Sequence, residues 1–235
     1  MKLVKVNFSG MPRVYLMFGL RQRALPGRLA KDERCRRLES VASSEFYFDS
    51  QAGVLAKLKG DKHSRSGNFL RWLFRDYLDK RLFLQFEARK EIRSKRVVQR
   101  AGLVTPECVA WGVSLNPLNP QGSLLLMDHV DNAVTGGEYF SRLSPAERQV
   151  FLVRLCDDIM ALARSGYVHR DLHMNNFLCR PCGTIVWVDT HVRPLPRGKR
   201  AKWRSIYRSI SQRGFLDGEY REYIHQEVKR RWIEG

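Results

Sequence analysis

The sequence predicts an α+β fold with two lobes, the first rich in strands and the second rich in helices. Two apolar segments, 45–48 and 54–58, flank the turn residues 49–53 and predict a β-hairpin in the first half of the chain. A Ser-Pro-Ala-Glu sequence at 144–147 predicts the start of a long helix, whose apolar residues recur at helical spacing. The strands thus come first and the long helix later, which is the order of an α+β protein.

The remaining elements follow from local patterns along the chain. Strands are predicted at 14–18, near 107–112 and at 123–127, where the apolar runs are short. Helices are predicted at 69–80, at 84–101 ahead of Gly102, and near 219–232. The boundary between the lobes is placed after residue 127, so that the lobes span 1–127 and 128–235.

The composition indicates a folded protein that binds a polyanion. Hydrophobic residues make up 43% of the 235 residues, which argues against disorder. The net charge is +18, from 42 basic and 24 acidic residues, with dense basic stretches at 34–37, 89–100 and 193–208. Such a charge attracts nucleic acid, an anionic membrane surface or a phosphorylated glycolipid. No zinc-finger or RNA-recognition motif accompanies the basic residues.

The cysteines and the apolar runs bear on the compartment. Five cysteines at irregular spacing are typical of a reducing environment. Cys179 and Cys182 form a single Cys-x-x-Cys pair, which we interpret as a hairpin turn with Pro181 and Gly183 rather than as a metal or redox site. No apolar run approaches the roughly 20 residues that cross a bilayer. We therefore expect a cytoplasmic protein.

The most informative stretch runs from 167 to 178 and continues into the apolar strand 184–189. Asp171 is followed five residues later by Asn176, and Asp189 ends the strand. This is the spacing of the kinase catalytic loop, in which one Asp receives the proton of the attacking hydroxyl while the Asn and a second Asp hold metal ions. The stretch predicts phosphoryl transfer from ATP, with Asp171 as the catalytic base and Asn176 and Asp189 as Mg²⁺ ligands.

The element order and the loop together predict a protein-kinase-like fold, with a small sheet-rich N-lobe and a reduced helical C-lobe. Within it, residues 45–212 resemble the lipopolysaccharide kinase family, whose members phosphorylate Kdo or heptose sugars of the inner core. The resemblance is carried by a basic helix and the strand after it (88–91, 102–106 and 110–112), by the catalytic stretch 169–178, and by 188–189 with the later helix 204–210.

The resemblance implies an ATP site in the first lobe. Lys57 would contact the ATP phosphates, and Glu91 would pair with it. Lys59 is the alternative lysine, because it lies two residues after Lys57 and therefore on the same face of the strand. The resemblance further implies that the connector 127–130 meets the adenine through backbone groups, which assigns Met127, Asp128 and Val130 to the nucleotide.

The catalytic stretch offers one alternative ligand and two supporting residues. Asn175 is a second amide beside Asn176, at an offset one residue too short. His169 is expected to order the loop. His173 stands where many protein kinases carry a lysine, which favours an acceptor other than a protein.

The chain departs from protein kinases in several places. No Gly-x-Gly-x-x-Gly sequence precedes Lys57, and Thr190-His191 follows Asp189 in place of Phe-Gly. Only 46 residues, 190–235, come after Asp189, and no Ala-Pro-Glu sequence lies among them. These departures argue against a regulated protein kinase and are typical of kinases that act on small molecules or glycolipids.

The leading hypothesis is an ATP- and Mg²⁺-dependent kinase of the lipopolysaccharide core. The enzyme would lie peripherally on the inner face of the cytoplasmic membrane, with an anionic glycolipid as acceptor and no nucleic-acid partner. One alternative is a small atypical protein kinase or an RNA-associated kinase. Another is a non-catalytic, basic nucleic-acid-binding module that descends from a kinase.

Overall fold

The computed structural model describes most of the chain, in two compact units. The described residues are 1–19, 28–41, 44–59, 86–116, 122–212 and 214–234. The first unit joins residues 1–92 with 107–129, and the second joins 93–106 with 130–235. The helix predicted at 69–80 lies outside the described residues. The lobe boundary after residue 127 stays a prediction.

The first unit is built on a six-stranded antiparallel sheet with the strand order β1-β2-β5-β6-β4-β3. Its strands are β1 (Lys2–Phe8), β2 (Met11–Phe18), β3 (Glu45–Asp49), β4 (Val54–Lys59), β5 (Cys108–Ser114) and β6 (Ser123–Asp128). Two helices accompany it in the described part of this unit, α1 (Glu33–Val41) and the first part of α2 (Glu87–Arg100).

The predicted hairpin is confirmed. β3 pairs with β4 in the register that sets Phe46 opposite Lys57. The Asp49 side chain closes the turn, because Oδ1 accepts hydrogen bonds from the backbone N–H groups of Gln51 at 3.0 Å and Ala52 at 3.1 Å. Gly53 completes the turn with φ of 63°, a conformation that glycine adopts at low cost.

Both faces of strands β4 and β6 are largely buried, which explains why β6 is apolar from Leu124 to Met127. Alternation along β4 sends Val54, Ala56 and Leu58 to one face, where they pack with the aromatic side chains of the first strands. Leu55 points to the other face, which packs against α2. Lys57 and Lys59 share that second face, so both lysines project toward the helix that carries Glu91.

Among the residues that the structure describes, the second unit contains four further helices and two small sheets. The helices are α3 (Gly136–Arg142), α4 (Pro145–Arg164), α5 (Lys199–Ile210) and α6 (Gly218–Glu234). One sheet joins β10 (Ile185–Trp187), β9 (Phe177–Cys179) and β7 (Val134–Thr135), and the other joins β11 (Val192–Pro194) and β8 (Tyr167–His169). Across the described residues, no helix is both long and apolar enough to cross a bilayer.

Helix α4 begins and ends where the sequence predicts. The Ser144 hydroxyl accepts from the Glu147 N–H, and the Glu147 carboxylate accepts from the Ser144 N–H at 2.8 Å, which makes the predicted capping box. The predicted apolar face (Phe151, Leu155, Ile159 and Leu162) is buried in the core of the second unit. Gly166, with φ of 87°, then turns the chain directly into β8.

The β9–β10 hairpin places its Cys-x-x-Cys pair at the turn, as predicted. Cys179 is buried in β9, Cys182 is exposed, and both thiols are free. The Gly183 N–H donates to the Arg180 carbonyl at 2.8 Å and closes the turn. Burial raises the pKa of the Cys179 thiol to about 12, so this thiol stays protonated.

Gly136 sets a close approach between α3 and the segment that follows β8. A Cβ atom at this position would lie 2.1 Å from Cε2 of Phe177 and 2.6 Å from the Met174 carbonyl oxygen. No side chain fits at that separation. Glycine therefore allows the start of α3 to rest directly on the residues around Met174.

The first 41 residues hold elements that the sequence patterns did not predict. Strand β1 and helix α1 were missed, and β2 begins at Met11, three residues before the predicted strand. In β1, Val6 and Phe8 are buried but Leu3 is 56% exposed, which obscures the alternation. Strands β1 and β2 form one end of the sheet and contribute Phe8 and Tyr15 to its core.

Candidate active site

The loop between β8 and β9 brings Asp171 and Asn176 next to Asp189, which follows β10. The backbone N–H groups of Val188 and Asp189 both donate to the Asn176 carbonyl oxygen, at 3.1 and 3.2 Å. The Nδ2 amide of Asn176 donates to the Asp171 carbonyl. The three predicted catalytic and metal-binding residues therefore belong to one hydrogen-bonded cluster.

His169 closes this cluster into a ring. Its Nδ1 accepts from the Asp171 N–H at 3.3 Å, and its Nε2 lies 2.7 Å from the Asp189 carbonyl oxygen. An imidazole that accepts through one ring nitrogen and donates through the other is in its neutral form. Burial lowers the pKa of His169, which favours the same neutral form. As expected, His169 orders the loop.

The donor set near Asn176 and Asp189 fits a magnesium ion. Because the Asn176 Nδ2 is used by the Asp171 carbonyl, its Oδ1 is the atom left to accept or to coordinate. An amide oxygen and a carboxylate are hard ligands, and Mg²⁺ takes few of them because it keeps several waters. The described residues contain no cluster of three or more His, Cys, Asp or Glu that suits a metal ion, as a zinc site would need.

Asp171 presents its carboxylate to solvent, whereas its backbone is fixed. Its side chain is 63% exposed, and Oδ2 lies 4.0 Å from Nε2 of His173. His173 is itself held, because its Nδ1 accepts from the Asn175 N–H at 3.3 Å at the start of a short 3₁₀ helix, Met174–Asn176. That hydrogen bond ties Asn175 into the turn. Asn176, and not Asn175, makes the hydrogen bonds that link Asp171 to the backbone of Val188 and Asp189.

Two strands and a helix brace the loop from its other side. The Arg170 N–H donates to the His191 carbonyl at 2.6 Å, and Val192 pairs with His169 in the β8–β11 sheet. From α5, the buried Ser209 hydroxyl donates to the His169 carbonyl at 2.6 Å. No local pattern marks Ser209 in the sequence, because its partner lies 40 residues away.

A partly buried carboxylate supports the strand that leads to Asp189. The Trp187 indole N–H donates to Oδ2 of Asp158 on α4 at 2.8 Å. The Trp187 ring lies 5.6 Å from the His169 ring and 5.4 Å from the Phe177 ring, centroid to centroid. Burial raises the pKa of Asp158 to about 6. An aspartate beside the apolar face of α4 was the available sequence signal, and it was missed.

In the first unit, Lys57 and Glu91 form a buried ion pair. Lys57 Nζ lies 2.8 Å from Glu91 Oε1, and the two side chains are 10% and 6% exposed. Lys59 instead lies 3.7 Å from Glu87, one helical turn earlier, in a more exposed pair. The geometry thus distinguishes the two lysines, because Lys57 has the nearly buried position and the closer carboxylate.

The connector residues lie at the end of β6. The Asp128 N–H donates to the Glu107 carbonyl and the His129 N–H to the Gly53 carbonyl, each at 2.9 Å. Met127 is buried, and Val130 is 9% exposed. Two of these backbone N–H groups are therefore used within the first unit.

A lysine–glutamate pair between a strand and a helix, together with an Asp-Asn-Asp cluster on a loop after a long helix, defines a protein-kinase-like fold. The model of the lipopolysaccharide kinase (Kdo/WaaP) family matches residues 42–213, which is more than half of the chain. The chain therefore belongs to this family. Membership supports a phosphotransferase of lipopolysaccharide biosynthesis.

One solved structure with a TM-score above 0.5 agrees with the fold. The structure of "WaaP in complex with acyl carrier protein" aligns with a TM-score of 0.51 at 14% identity, over 86% of this chain and 85% of that one. The bifunctional kinase-methyltransferase WbdD aligns with a TM-score of 0.47 at 14% identity, over 82% of this chain and 43% of that one. The Mycobacterium tuberculosis PknI kinase domain aligns with a TM-score of 0.40 at 12% identity, over 79% and 77%. A sequence comparison with curated proteins found no match.

Proposed function

We propose that this protein transfers the γ-phosphate of ATP to a sugar hydroxyl, of Kdo or heptose, in the inner core of lipopolysaccharide. The observation that carries the proposal is the hydrogen-bonded ring of His169, Asp171, Asn176 and Asp189, in a chain of the lipopolysaccharide kinase family. The ring holds the three functional residues in fixed relation before any substrate binds, which is how positioning lowers a barrier.

Lys57 binds the ATP phosphates in this proposal. Its ammonium group is a compact positive charge on a strand, and Glu91 holds it in one orientation through the 2.8 Å ion pair. A nearly buried ion pair keeps its geometry better than an exposed one, because solvent competes less for either partner. Backbone groups of Met127, Asp128 and Val130 meet the adenine.

Asn176 and Asp189 hold Mg²⁺, one through its amide oxygen and the other through its carboxylate. When bound, the ion neutralises phosphate charge and orients the γ-phosphoryl group for in-line attack. The backbone bonds from Val188 and Asp189 to the Asn176 carbonyl fix the spacing between the two ligand residues. His169 holds the same segment, because its Nε2 lies 2.7 Å from the Asp189 carbonyl oxygen.

Asp171 orients the acceptor hydroxyl and receives its proton. The hydroxyl oxygen bonds to the γ-phosphorus, the bond from that phosphorus to the bridging oxygen breaks, and ADP leaves. The exposed carboxylate of Asp171 suits an acceptor that arrives from solvent or from a membrane surface. Its backbone does not move, because the N–H and carbonyl are held by His169 and Asn176.

The charge of the chain supports an anionic acceptor. The net charge is +18, and lipid A and core sugars carry phosphates and carboxylates. Basic segments gain about 1 kcal/mol for each Lys or Arg near an anionic leaflet. We propose that the protein works at the cytoplasmic face of the inner membrane as a peripheral protein, without a nucleic-acid partner.

Phosphate transfer to purified, under-phosphorylated lipopolysaccharide tests the proposal. With ATP and Mg²⁺, mass spectrometry is expected to detect one added phosphate, and fragmentation assigns it to Kdo or heptose. Asp171→Asn is expected to lower kcat by about 100-fold or more, because general base catalysis contributes about that much. The matched control Asp217→Asn removes an exposed carboxylate from the same unit and is expected to keep full activity.

Other outcomes point to the alternative functions. Phosphate incorporation into a general protein substrate, but not into lipopolysaccharide, would indicate an atypical protein kinase. Tight binding to duplex DNA or RNA without ATP turnover would indicate a non-catalytic module. Either result contradicts the proposed function.

A further inference from the structure

The segment that follows Asp189 carries positive charge that no carboxylate offsets. Residues 190–216 contain no Asp or Glu. Within the described part of the chain, the seven cations of this segment form no ion pair with a carboxylate: Arg193, Arg197, Lys199, Arg200, Lys202, Arg204 and Arg208. Helix α6 differs, because Arg221, Arg230 and Arg231 each lie within salt-bridge distance of an acidic side chain. The unpaired charge is thus a local property of one segment.

Helix α5 gathers this charge on its outer side. Arg200, Arg204 and Arg208 are exposed and recur every four residues, which aligns them in one stripe. Trp203 and Tyr207 lie beside the stripe with their ring centroids 6.1 Å apart, and Tyr207 is 45% exposed. We call these five residues the α5 surface. The opposite side of the helix, which includes Ile206 and Ile210, is buried in the core.

The inner side of the same helix holds the catalytic loop. The Ser209 hydroxyl donates to the His169 carbonyl at 2.6 Å, and His169 is a member of the hydrogen-bonded ring. Whatever binds the outer side of α5 therefore lies one helix diameter, about 10 Å, from the segment that carries Asp171. No other described helix combines an unpaired basic stripe with a direct bond to this loop.

We infer that the α5 surface binds the anionic lipid headgroups of the membrane that presents the acceptor, an inference that rests on the proposed function. Arginine stripes with Trp or Tyr at their margin are typical of helices that lie at a membrane surface, because the amphipathic rings prefer the headgroup level. Three arginines near an anionic leaflet contribute about 3 kcal/mol, or roughly 100-fold in affinity.

Helix α2 provides a matched comparison on the same protein. It exposes three arginines, Arg93, Arg96 and Arg100, but contains no aromatic residue. Lys90 of α2 lies 3.6 Å from Glu87, and Lys95 is buried. The two helices therefore expose equal numbers of arginines, and only α5 has the aromatic margin and the bond to the catalytic loop.

Vesicle flotation tests the inference without any catalytic step. The full chain is mixed with vesicles of phosphatidylcholine, alone or with phosphatidylglycerol, and no ATP is present. We expect binding to the anionic vesicles only. The triple variant Arg200→Gln/Arg204→Gln/Arg208→Gln is expected to bind about 100-fold more weakly. Arg93→Gln/Arg96→Gln/Arg100→Gln, which removes the same charge, is expected to stay within about threefold of the unaltered chain.

The single variant Arg204→Gln covers the case in which the triple variant does not fold. It is expected to bind about fivefold more weakly, which corresponds to the loss of about 1 kcal/mol. Circular dichroism checks that each variant is folded.

Three results would overturn the inference. These are no binding to anionic vesicles, an equal loss in the α5 and α2 variants, or tight RNA binding that the α5 variant abolishes while vesicles stay unbound. Failure of the proposed function gives a different pattern. If the chain binds vesicles through α5 but transfers no phosphate, the inference stands and the proposed function is refuted.

Discussion

At the scale of single residues, two lysines on one strand make the proposed ATP site testable. Lys57 and Lys59 share a face of β4, so the sequence alone left both as candidates. The position of α2 separates them, because Glu91 meets Lys57 at 2.8 Å whereas Glu87 meets Lys59 at 3.7 Å. Because the two ion pairs differ in burial, we expect substitutions of Lys57 and of Lys59 to differ in their effects on activity and stability.

Lys57→Met is expected to lower phosphate transfer by about 100-fold or more, because the phosphates lose a positioned charge. It is also expected to destabilise the protein by at most about 3–5 kcal/mol, since it removes the closest cation from a buried carboxylate. Steady-state kinetics and urea unfolding measure the two effects.

Lys59→Met is the control for that substitution. Its ion pair is more exposed, so we expect a loss of stability below about 1 kcal/mol and little change in rate. If Lys59→Met instead carries the loss of activity, Lys59 is the ATP lysine and our assignment is wrong.

At the scale of elements, the contact between α3 and the catalytic loop depends on one glycine. Gly136→Ala is expected to destabilise the protein by about 1–3 kcal/mol, because the new Cβ would meet Phe177 and the Met174 carbonyl far inside contact distance. Thermal unfolding measures the change.

Gly137→Ala is expected to have the opposite sign. A Cβ at Gly137 meets Met174 and Asn175 at 3.7 Å, which is ordinary contact, and alanine favours the helix by about 0.5–1 kcal/mol. Equal effects from the two substitutions would mean that α3 does not rest on the loop as described.

The contact between α4 and β10 makes stability depend on pH. Burial raises the pKa of Asp158 to about 6, from 3.8. A carboxyl group whose pKa is higher in the folded state binds more protons when folded, so its contribution to stability falls as pH rises from about 4 to about 6. The loss amounts to at most about 3 kcal/mol.

Asp158→Asn removes this titration while it keeps an oxygen for the Trp187 indole N–H. The difference in unfolding free energy between the variant and the unaltered chain is expected to move in favour of the variant as pH rises from about 4 to about 7. Urea unfolding at several pH values measures it. A difference that does not change with pH would show that Asp158 is not the titrating group.

Much of the fold and the loop was predictable because it depends on local pattern. Asp171, Asn176 and Asp189 lie within 19 residues on one loop and one hairpin. A short sequence motif was therefore enough to predict that they lie close together. The capping box at Ser144 and the turn before Gly53 are equally local.

The rest of the site depends on partners that are distant in the chain. Ser209 bonds His169 across 40 residues, and Trp187 bonds Asp158 across 29. No periodicity connects such pairs, because tertiary packing alone sets them. Strand β1 was missed for a related reason, since its exposed Leu3 is apolar and only the neighbouring strand defines its buried face.

At the scale of the whole molecule, the net charge of +18 predicts a response to salt. Like charges repel in the compact state, and salt screens that repulsion. Raising NaCl from about 0.02 to about 0.2 M is expected to stabilise the protein by about 1 kcal/mol, or roughly 2–4 °C in Tm. A Tm that stays level or falls would mean that the surface ion pairs outweigh the repulsion.

The short connection between Asp189 and β11 bears on how the proposed activity is regulated. Only Thr190 and His191 separate Asp189 from β11, which pairs at once with the strand that precedes Asp171. Many regulated kinases have a longer activation loop that becomes ordered on phosphorylation. Here that span is two residues long, and moving it would break the β8–β11 pairing. If Asp189 holds the metal as proposed, we expect no order–disorder switch in the two residues that follow it, in contrast to kinases that have a long activation loop.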